Sequence, residues 1–382
     1  MKDVDSGRGL KIAIIVTVEE TAANFVFDFA THIAEQGHDV SVIASGGERV
    51  PRKVGRGSLT YLPVSMERDP HPFLDLKSLA VLGWQLRKIK PDVLTYATPK
   101  ASLLGSIAGF LLRIPVRVYQ VWGLRLETVE GPRRRLLALL EQVTSFLSTG
   151  ILANSNSLAQ RYRELGLNAG RPVDMLGRGS SHGVDVDRFS RAAPDPSTGP
   201  AGEKKQRVAG NNLTVGFVGR LHPDKGIDTL LDAVRLLKDQ GLEVNLVLVG
   251  GDEGAELDLG GGLEHHTTLV GSVDDPRPYY AAMDVLVLPS LREGFPNVVL
   301  EAAAMSVPAV VSDGTGVVDS VVDGVTGVVV PKSDPAALAA AIRRLAEDQA
   351  LREQMGESAR QWVEEHFDKH QVWERTLNYL VR

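Results

Sequence analysis

Glu293 and Glu301 flank a Gly-Phe-Pro-Asn turn in the stretch Ser290-Leu-Arg-Glu-Gly-Phe-Pro-Asn-Val-Val-Leu-Glu. One carboxylate falls just outside a helix start and the other just inside it. Pro296 suits the first helical turn, where an N–H would be unpaired anyway. The amides around Asn297, Val298 and Val299 then face whatever precedes the helix, and a helix start favours an anion. Carboxylates on either side of such a seat accept hydrogen bonds from hydroxyls. A diphosphate between two hydroxyl-bearing groups fits this layout, as in a nucleoside diphosphate sugar. A bare E-x7-E spacing is common. The apolar strand expected at 284–289 and the apolar helix expected at 297–305 make this one specific.

A second group lies in Val215-Gly-Phe-Val-Gly-Arg-Leu-His-Pro-Asp-Lys-Gly, which reads as a strand, a tight loop and a helix start. Gly219, Arg220 and Lys225 occupy the loop. A guanidinium grips phosphate oxygens in a fork and an ammonium acts as a point charge, so the pair can neutralise a diphosphate leaving group without a metal. Taken alone, two loop cations would simply pair with local carboxylates. Neither a G-x-G-x-x-G nor a Walker A sequence is present, and no H-E-x-x-H or Asp-x-Asp metal signature occurs. His265 and His266 read as a solvated turn.

These residues need strands to hold them. In the first half, strands are expected at 11–18, 39–44, 59–63, 92–97, 116–121 and 150–153. Helices are expected at 22–36, 75–90, 101–112 and 132–147, and Asn-Ser-Asn at 154–156 offers a helix cap. A second series follows, with strands at 213–219, 243–249, 267–270, 284–289, 309–312 and 328–330. Its helices are expected at 226–239, 277–282, 297–305 and 334–347, and the tail 349–380 reads as mostly helix. This order implies α/β architecture with two doubly wound parallel sheets facing across a cleft. Ligands bind such sheets beyond the carboxyl ends of the strands. The expected domains are 1–190 and 213–365, joined by a linker rich in Pro, Gly and Ser at 191–212. A terminal helix is expected at 366–382.

The 382 residues suit two domains, and 43% hydrophobic with 24% charged residues is an ordinary globular balance. The chain has no cysteine, which excludes disulfides and thiolate chemistry and permits a reducing cytosol. The apolar runs 12–18 and 101–115 are too short to span a bilayer, and the first reads as a strand rather than a signal peptide. Within a net charge of −6, basic residues exceed acidic ones in 1–190 and the reverse holds in 191–382. Arg133, Arg134 and Arg135 beside Leu136, Leu137, Leu139 and Leu140 suit contact with the inner membrane surface, and equally a solvated helix start. A cytoplasmic location, at or away from that surface, is expected.

The stretches GFVGRLHPDKG, LVLVGGDEG, VGSVDDPRPYYAAMDVLVLPSLREGFPNVVLEAAAMSVPAVVSD and GVTGVVVP resemble the nucleotide-sugar domain of retaining GT-B glycosyltransferases of the group 1, or family 4, type. The resemblance covers nearly all of 213–375, and it implies that the C-terminal helix, with Trp362 and Trp373, crosses back onto the first domain. It implies that Arg220 and Lys225 hold a diphosphate and that Glu293 acts on the donor sugar with the backbone of Gly294, Phe295, Pro296 and Asn297. It implies phosphate contact from the Val298 and Val299 amides, a ribose contact from Glu301, and a nucleobase near Val270, Gly271 and Val273. In the first half, Thr17-Val-Glu-Glu-Thr, VYQVWGLRLETVEG, ILANSNSLAQRY and LGRGSSHGVDVDRF are similar to bacterial transferases that assemble capsule, O-antigen and glycoprotein glycans on polyprenyl diphosphates, often from UDP-N-acetylhexosamines. The resemblance therefore implies a UDP-sugar donor, a saccharide acceptor, no cofactor, no metal and no nucleic-acid partner.

Glu19, Glu20, Thr21, Trp122, Arg125, Glu127 and His182 are the acceptor-side candidates. Trp122 could stack on a sugar or belong to the core. His182 could touch a ligand or cap its own loop. Relatives often carry His or Arg at the place of Trp122 and Asn at the place of His182. A sugar-nucleotide epimerase or phosphorylase on this fold, or a binder without turnover, are the alternatives. A nicotinamide dehydrogenase is less consistent, since the dinucleotide fingerprint is missing.

Overall fold

A computed structural model describes residues 9–46, 52–54, 56–67, 71–190, 212–255 and 257–382. It divides into two compact units, 1–177 with 373–382, and 178–372.

The first unit runs β1 (Lys11–Val18), α1 (Glu19–Phe25), α2 (Phe27–Glu35), β2 (Asp39–Ser45), β3 (Arg52–Val54) and β4 (Gly57–Pro63). It continues through α3 (Pro72–Ile89), β5 (Val93–Tyr96), α4 (Pro99–Leu111), β6 (Val116–Val121), α5 (Gly131–Leu147), β7 (Gly150–Ala153) and α6 (Asn156–Glu164). The sheet order is β3-β4-β2-β1-β5-β6-β7. Its strand pairs are parallel except β3 with β4. β1 lies at the centre, with Ile12 opposite Val40 on one side and Val93 on the other. Alternate β1 side chains enter different cores because successive residues of a strand point to opposite faces. Ala13 and Ile15 join Leu82, Leu86 and Leu104 under α3 and α4. Ile12, Ile14 and Val16 join Phe29 and Ile33 of α2, together with Trp373 and Leu377.

The second unit runs β8 (Thr214–Val218), α7 (Ile227–Asp239), β9 (Asn245–Val249), β10 (Thr267–Gly271), α8 (Arg277–Tyr280), β11 (Val285–Leu288) and α9 (Asn297–Ala304). Then come β12 (Ala309–Ser312), β13 (Gly327–Val330), α10 (Pro335–Glu347), α11 (Gln349–His366) and α12 (Lys369–Leu380), whose last part belongs to the first unit. Its parallel sheet has the order β10-β9-β8-β11-β12-β13. The chain steps outward from β8 to β10 and then jumps to β11 on the other side of β8. The β8/β11 boundary is thus the topological switch point.

Four expectations change. The helix expected at 22–36 starts at Glu19 and breaks at Val26, whose φ of −117° and ψ of −38° separate α1 from α2. The short antiparallel edge strand β3 was not expected. The units meet between residues 177 and 178 rather than near 190. Val184 N–H donates to the Phe367 carbonyl (2.8 Å), Lys369 Nζ pairs with Asp185 (2.5 Å), and Phe189 enters the second core. The linker expected at 191–212 lies outside the described residues except Asn212. Trp362 also stays in the second unit, its ring 4.7 Å from that of Phe367, while Trp373 belongs to the first.

Candidate functional site

The loops after β8 and β11 carry the donor-side candidates. Gly219 follows β8; its φ of +151° favours glycine and its N–H donates to the Val249 carbonyl (2.9 Å). Arg220 follows on the surface and pairs with Glu253. Lys225 closes a 3-10 turn (Pro223–Lys225), and Gly226, at φ +68°, then caps α7. From the neighbouring loop comes Glu293, and its Oε1 pairs with Lys225 Nζ; each side chain is 17% exposed. The same loops are tied twice more. Leu291 N–H donates to the Asp224 carbonyl (2.8 Å), and Arg292 Nη2 pairs with Asp224 (2.5 Å). Glu293 N–H is held by the Thr315 carbonyl (2.7 Å).

Beyond Glu293, Gly294 and Pro296 are buried, and the Phe295 ring packs 5.3 Å from that of Phe367, so Phe295 contributes its backbone while its side chain serves the core. Pro296 sits one residue before the helix, as its extended cap, rather than in the first turn. The Val299 N–H is taken by the Pro296 carbonyl (3.1 Å), so it is not the open donor expected. The Asn297 and Val298 amides remain as first-turn donors at a helix end that supplies no acceptor of its own. Asn297 Oδ1 and Ser290 Oγ are buried here without a hydrogen-bond partner. Such atoms are uncommon in native folds and mark a place where a polar ligand fits.

Glu301 lies one turn into α9 and accepts from the Tyr280 hydroxyl (2.8 Å). Desolvation raises its pKa, against the opposing pull of the Tyr280 hydrogen bond and the nearby Arg188 charge. Val270 and Gly271 end β10, an edge strand two places from β8, and Val273 follows in its loop. Val270 and Val273 are half-buried against the second core.

In the first unit, Glu19, Glu20 and Thr21 form the opening turn of α1 beyond β1. Trp122 follows β6, half-buried, with its indole N–H donating to Gln120 (3.2 Å), which in turn donates to Thr95 (2.8 Å). Arg125 and Glu127 share a 3-10 turn (Arg125–Thr128). Arg125 is exposed, whereas Arg161 holds the Glu127 carboxylate (3.1 Å). Sequence reasoning missed Thr98, which follows β5 at φ +68° and meets the Thr17 hydroxyl at 2.7 Å. A Thr-Pro pair after a strand was the available signal.

His182 belongs to the second unit, whereas the other acceptor-side candidates belong to the first. Ser180, itself at φ +64°, accepts from the His182 and Gly183 amides (3.3 and 3.0 Å), and Ser181 meets His182 Nδ1 (3.0 Å). Burial pushes the imidazole pKa down to about 3, so the ring is neutral at physiological pH and is no proton donor there. An unfolded His takes its proton near pH 6.5 and the folded one only near 3, so folding stability is full above 6.5 and lost as pH falls. Between pH 6.5 and 4 this loss is on the order of 2–3 kcal/mol. His182→Asn is expected to flatten that limb of a urea-unfolding series against pH. An unchanged slope would place the protonation elsewhere.

Comparison with known proteins agrees with this geometry. The sequence profile described as "Glycosyl transferases group 1" matches residues 212–348, and "Glycosyl transferase 4-like domain" matches 21–179. The capsular polysaccharide biosynthesis glycosyltransferase CapM of Staphylococcus aureus is 35% identical over 349 residues, which is 90% of this chain and 89% of CapM. The chain belongs to the group 1 glycosyltransferases. It is a glycosyltransferase with the GT-B fold. Sucrose-phosphate synthase of Thermosynechococcus elongatus superposes with a TM-score of 0.78 at 20% identity, over 97% of this chain and 98% of that one. HepE of Anabaena, solved in complex with UDP-glucose, superposes with a TM-score of 0.73 at 20% identity, over 97% and 99% of the two chains. In this glycosyltransferase the loops that carry Lys225 and Glu293 leave β8 and β11 at the switch point, where open α/β sheets bind ligands.

Proposed function

We propose that this glycosyltransferase moves a hexose or N-acetylhexosamine from a UDP-sugar, with retention of anomeric configuration, to a saccharide on a polyprenyl diphosphate in surface-polysaccharide assembly. The Lys225–Glu293 ion pair carries this reading, since it joins a cation for the leaving diphosphate to a carboxylate for the sugar. In the ion pair each neutralises the other. A bound donor replaces both halves: its phosphates take the ammonium and its hydroxyls take the carboxylate.

Arg220 and Lys225 then stabilise the charge that grows on the departing diphosphate, as do the Asn297 and Val298 amides. Glu301 accepts from the ribose hydroxyls. Retention follows from attack of the acceptor hydroxyl on the face that the diphosphate leaves, with a donor phosphate oxygen taking the proton. The acceptor sits at the carboxyl edge of the first sheet, near Glu19, Trp122 and Arg125. Two likenesses support the substrate classes. CapM is named for capsular polysaccharide biosynthesis, and HepE is solved with UDP-glucose.

A panel of UDP-, GDP- and ADP-sugars, each offered with a polyprenyl-diphosphate saccharide, tests the proposal. A UDP-sugar is expected to give a product of unchanged anomeric configuration, with full activity in excess chelator. Conversion of the donor without any acceptor would point to an epimerase, and an inverted product would refute the mechanism.

A further inference from the structure

We propose that Tyr280 is a positioning residue for the donor: its hydroxyl holds the Glu301 carboxylate in place for the ribose hydroxyls, so that the site selects ribonucleoside over deoxyribonucleoside diphosphates. The inference deepens the donor reading and rests on the contact between Glu301 and the ribose given there.

Tyr280 ends α8, a single turn between β10 and β11. Its side chain is fully buried, and its hydroxyl donates to Glu301 Oε2 (2.8 Å). A buried phenol needs a hydrogen-bond partner. A backbone carbonyl would meet that need without drawing a charge out of water, whereas a half-buried carboxylate is a costly choice. Among the described residues no other side chain donates to Glu301, so Oε1 is left for a donor from outside the fold.

The surroundings fix the hydroxyl in one place. At the start of α8, Asp275 takes Arg277 Nε (2.8 Å) and Nη2 (2.6 Å) in a fork. Arg277 Nη1 also reaches the Arg188 carbonyl (3.4 Å). The next residue, Phe189, packs edge-on against the Tyr280 ring, with centroids 6.2 Å apart. From α11, Arg360 donates to the Phe189 carbonyl (2.6 Å) and to the Ala304 carbonyl at the end of α9. Two arginines thus tie α8, residues 188–189 and α9 into one block. A binding carboxylate keeps its aim when the group behind it is locked in this way.

The contact also governs charge. Burial favours the protonated form of Glu301, while the Tyr280 hydrogen bond and the Arg188 charge oppose it. α9 carries no other ionisable side chain, and Arg360 is engaged by main-chain carbonyls. Loss of the phenol oxygen therefore moves Glu301 towards the protonated acid, a weaker acceptor for ribose.

Calorimetry of the full-length protein with UDP and with 2′,3′-dideoxy-UDP tests the proposal. In the wild type, loss of both hydroxyls is expected to weaken binding by about a hundredfold or more. In Tyr280→Phe, UDP is expected to bind about tenfold more weakly and the dideoxy analogue within about twofold of the wild type, so discrimination shrinks. On acidification, the UDP affinity of this variant should begin to fall at a higher pH than that of the wild type, with no such change for the analogue. In a Glu301→Gln background, where no carboxylate is left unpaired, adding Tyr280→Phe should alter discrimination by less than about twofold. Equal weakening of both nucleotides by Tyr280→Phe, with the pH profile kept, would give the tyrosine a role in folding alone and overturn the inference. A wild type that binds both nucleotides alike would instead take the ribose away from Glu301 and overturn the donor reading with it.

Discussion

Lys225→Ala is expected to cut kcat/KM for sugar transfer by at least about a hundredfold, since it removes a cation aimed at the charge that develops as the diphosphate leaves. The same change leaves the half-buried Glu293 carboxylate without its ammonium, and an uncompensated charge also destabilises the fold. Glu293→Gln separates the two roles. It keeps the shape of the side chain and releases Lys225 from its internal partner. UDP affinity, measured calorimetrically, is expected to hold or rise, while kcat falls by about a hundredfold or more. In Lys225→Ala, UDP affinity and kcat fall together. Full transfer by either variant would remove the pair from the site.

Gly226→Ala is expected to be among the most damaging single methyls in the second unit. Gly226 has φ +68°, and a Cβ there would overlap the Pro289 carbonyl oxygen at the end of β11. Backbone strain and a clash with main chain combine, for a cost of about 2–4 kcal/mol. Relief requires the β8 and β11 loops to part, which breaks the Leu291–Asp224 and Arg292–Asp224 contacts and displaces Lys225 from Glu293. Stability in urea and transfer activity should therefore fall together. Gly241→Ala is the control: φ is +80°, but nothing lies within 4 Å of the added atom. It should cost about 1 kcal/mol and leave transfer intact. Equal effects at the two glycines would show that strain alone, and not the loop contact, sets the damage.

Much of this architecture is legible in the sequence because strands buried on both faces read as continuous apolar runs. β1, β6, β7 and β12 occupy the residues that their runs mark. What stayed hidden depends on contacts between distant residues. Val26 breaks a helix whose composition alone gives no warning. The segment from Arg178 to Phe189 reads as the polar end of the first domain, yet Val184 and Phe189 bury against the second core. Lys225 and Glu293 were each visible as candidates, but their mutual pairing spans 68 residues and follows from the order of the strands. Tyr280 and Thr315, which hold Glu301 and Glu293, carry no local signal, since each acts from another loop or helix.

Trp373, Leu377 and Leu380 pack with Phe29, Ile33 and Val118 in one core of the first unit, and the Trp373 ring lies 6.4 Å from that of Phe29. Synthesis from the amino terminus delivers Phe29 and Ile33 early and these partners late. Residues 178–372 are all available before the final part of α12 is made, so the second unit has its full complement of side chains first. Until the ribosome releases that tail, the first-made half keeps one apolar wall uncovered, and completion runs opposite to the order of translation.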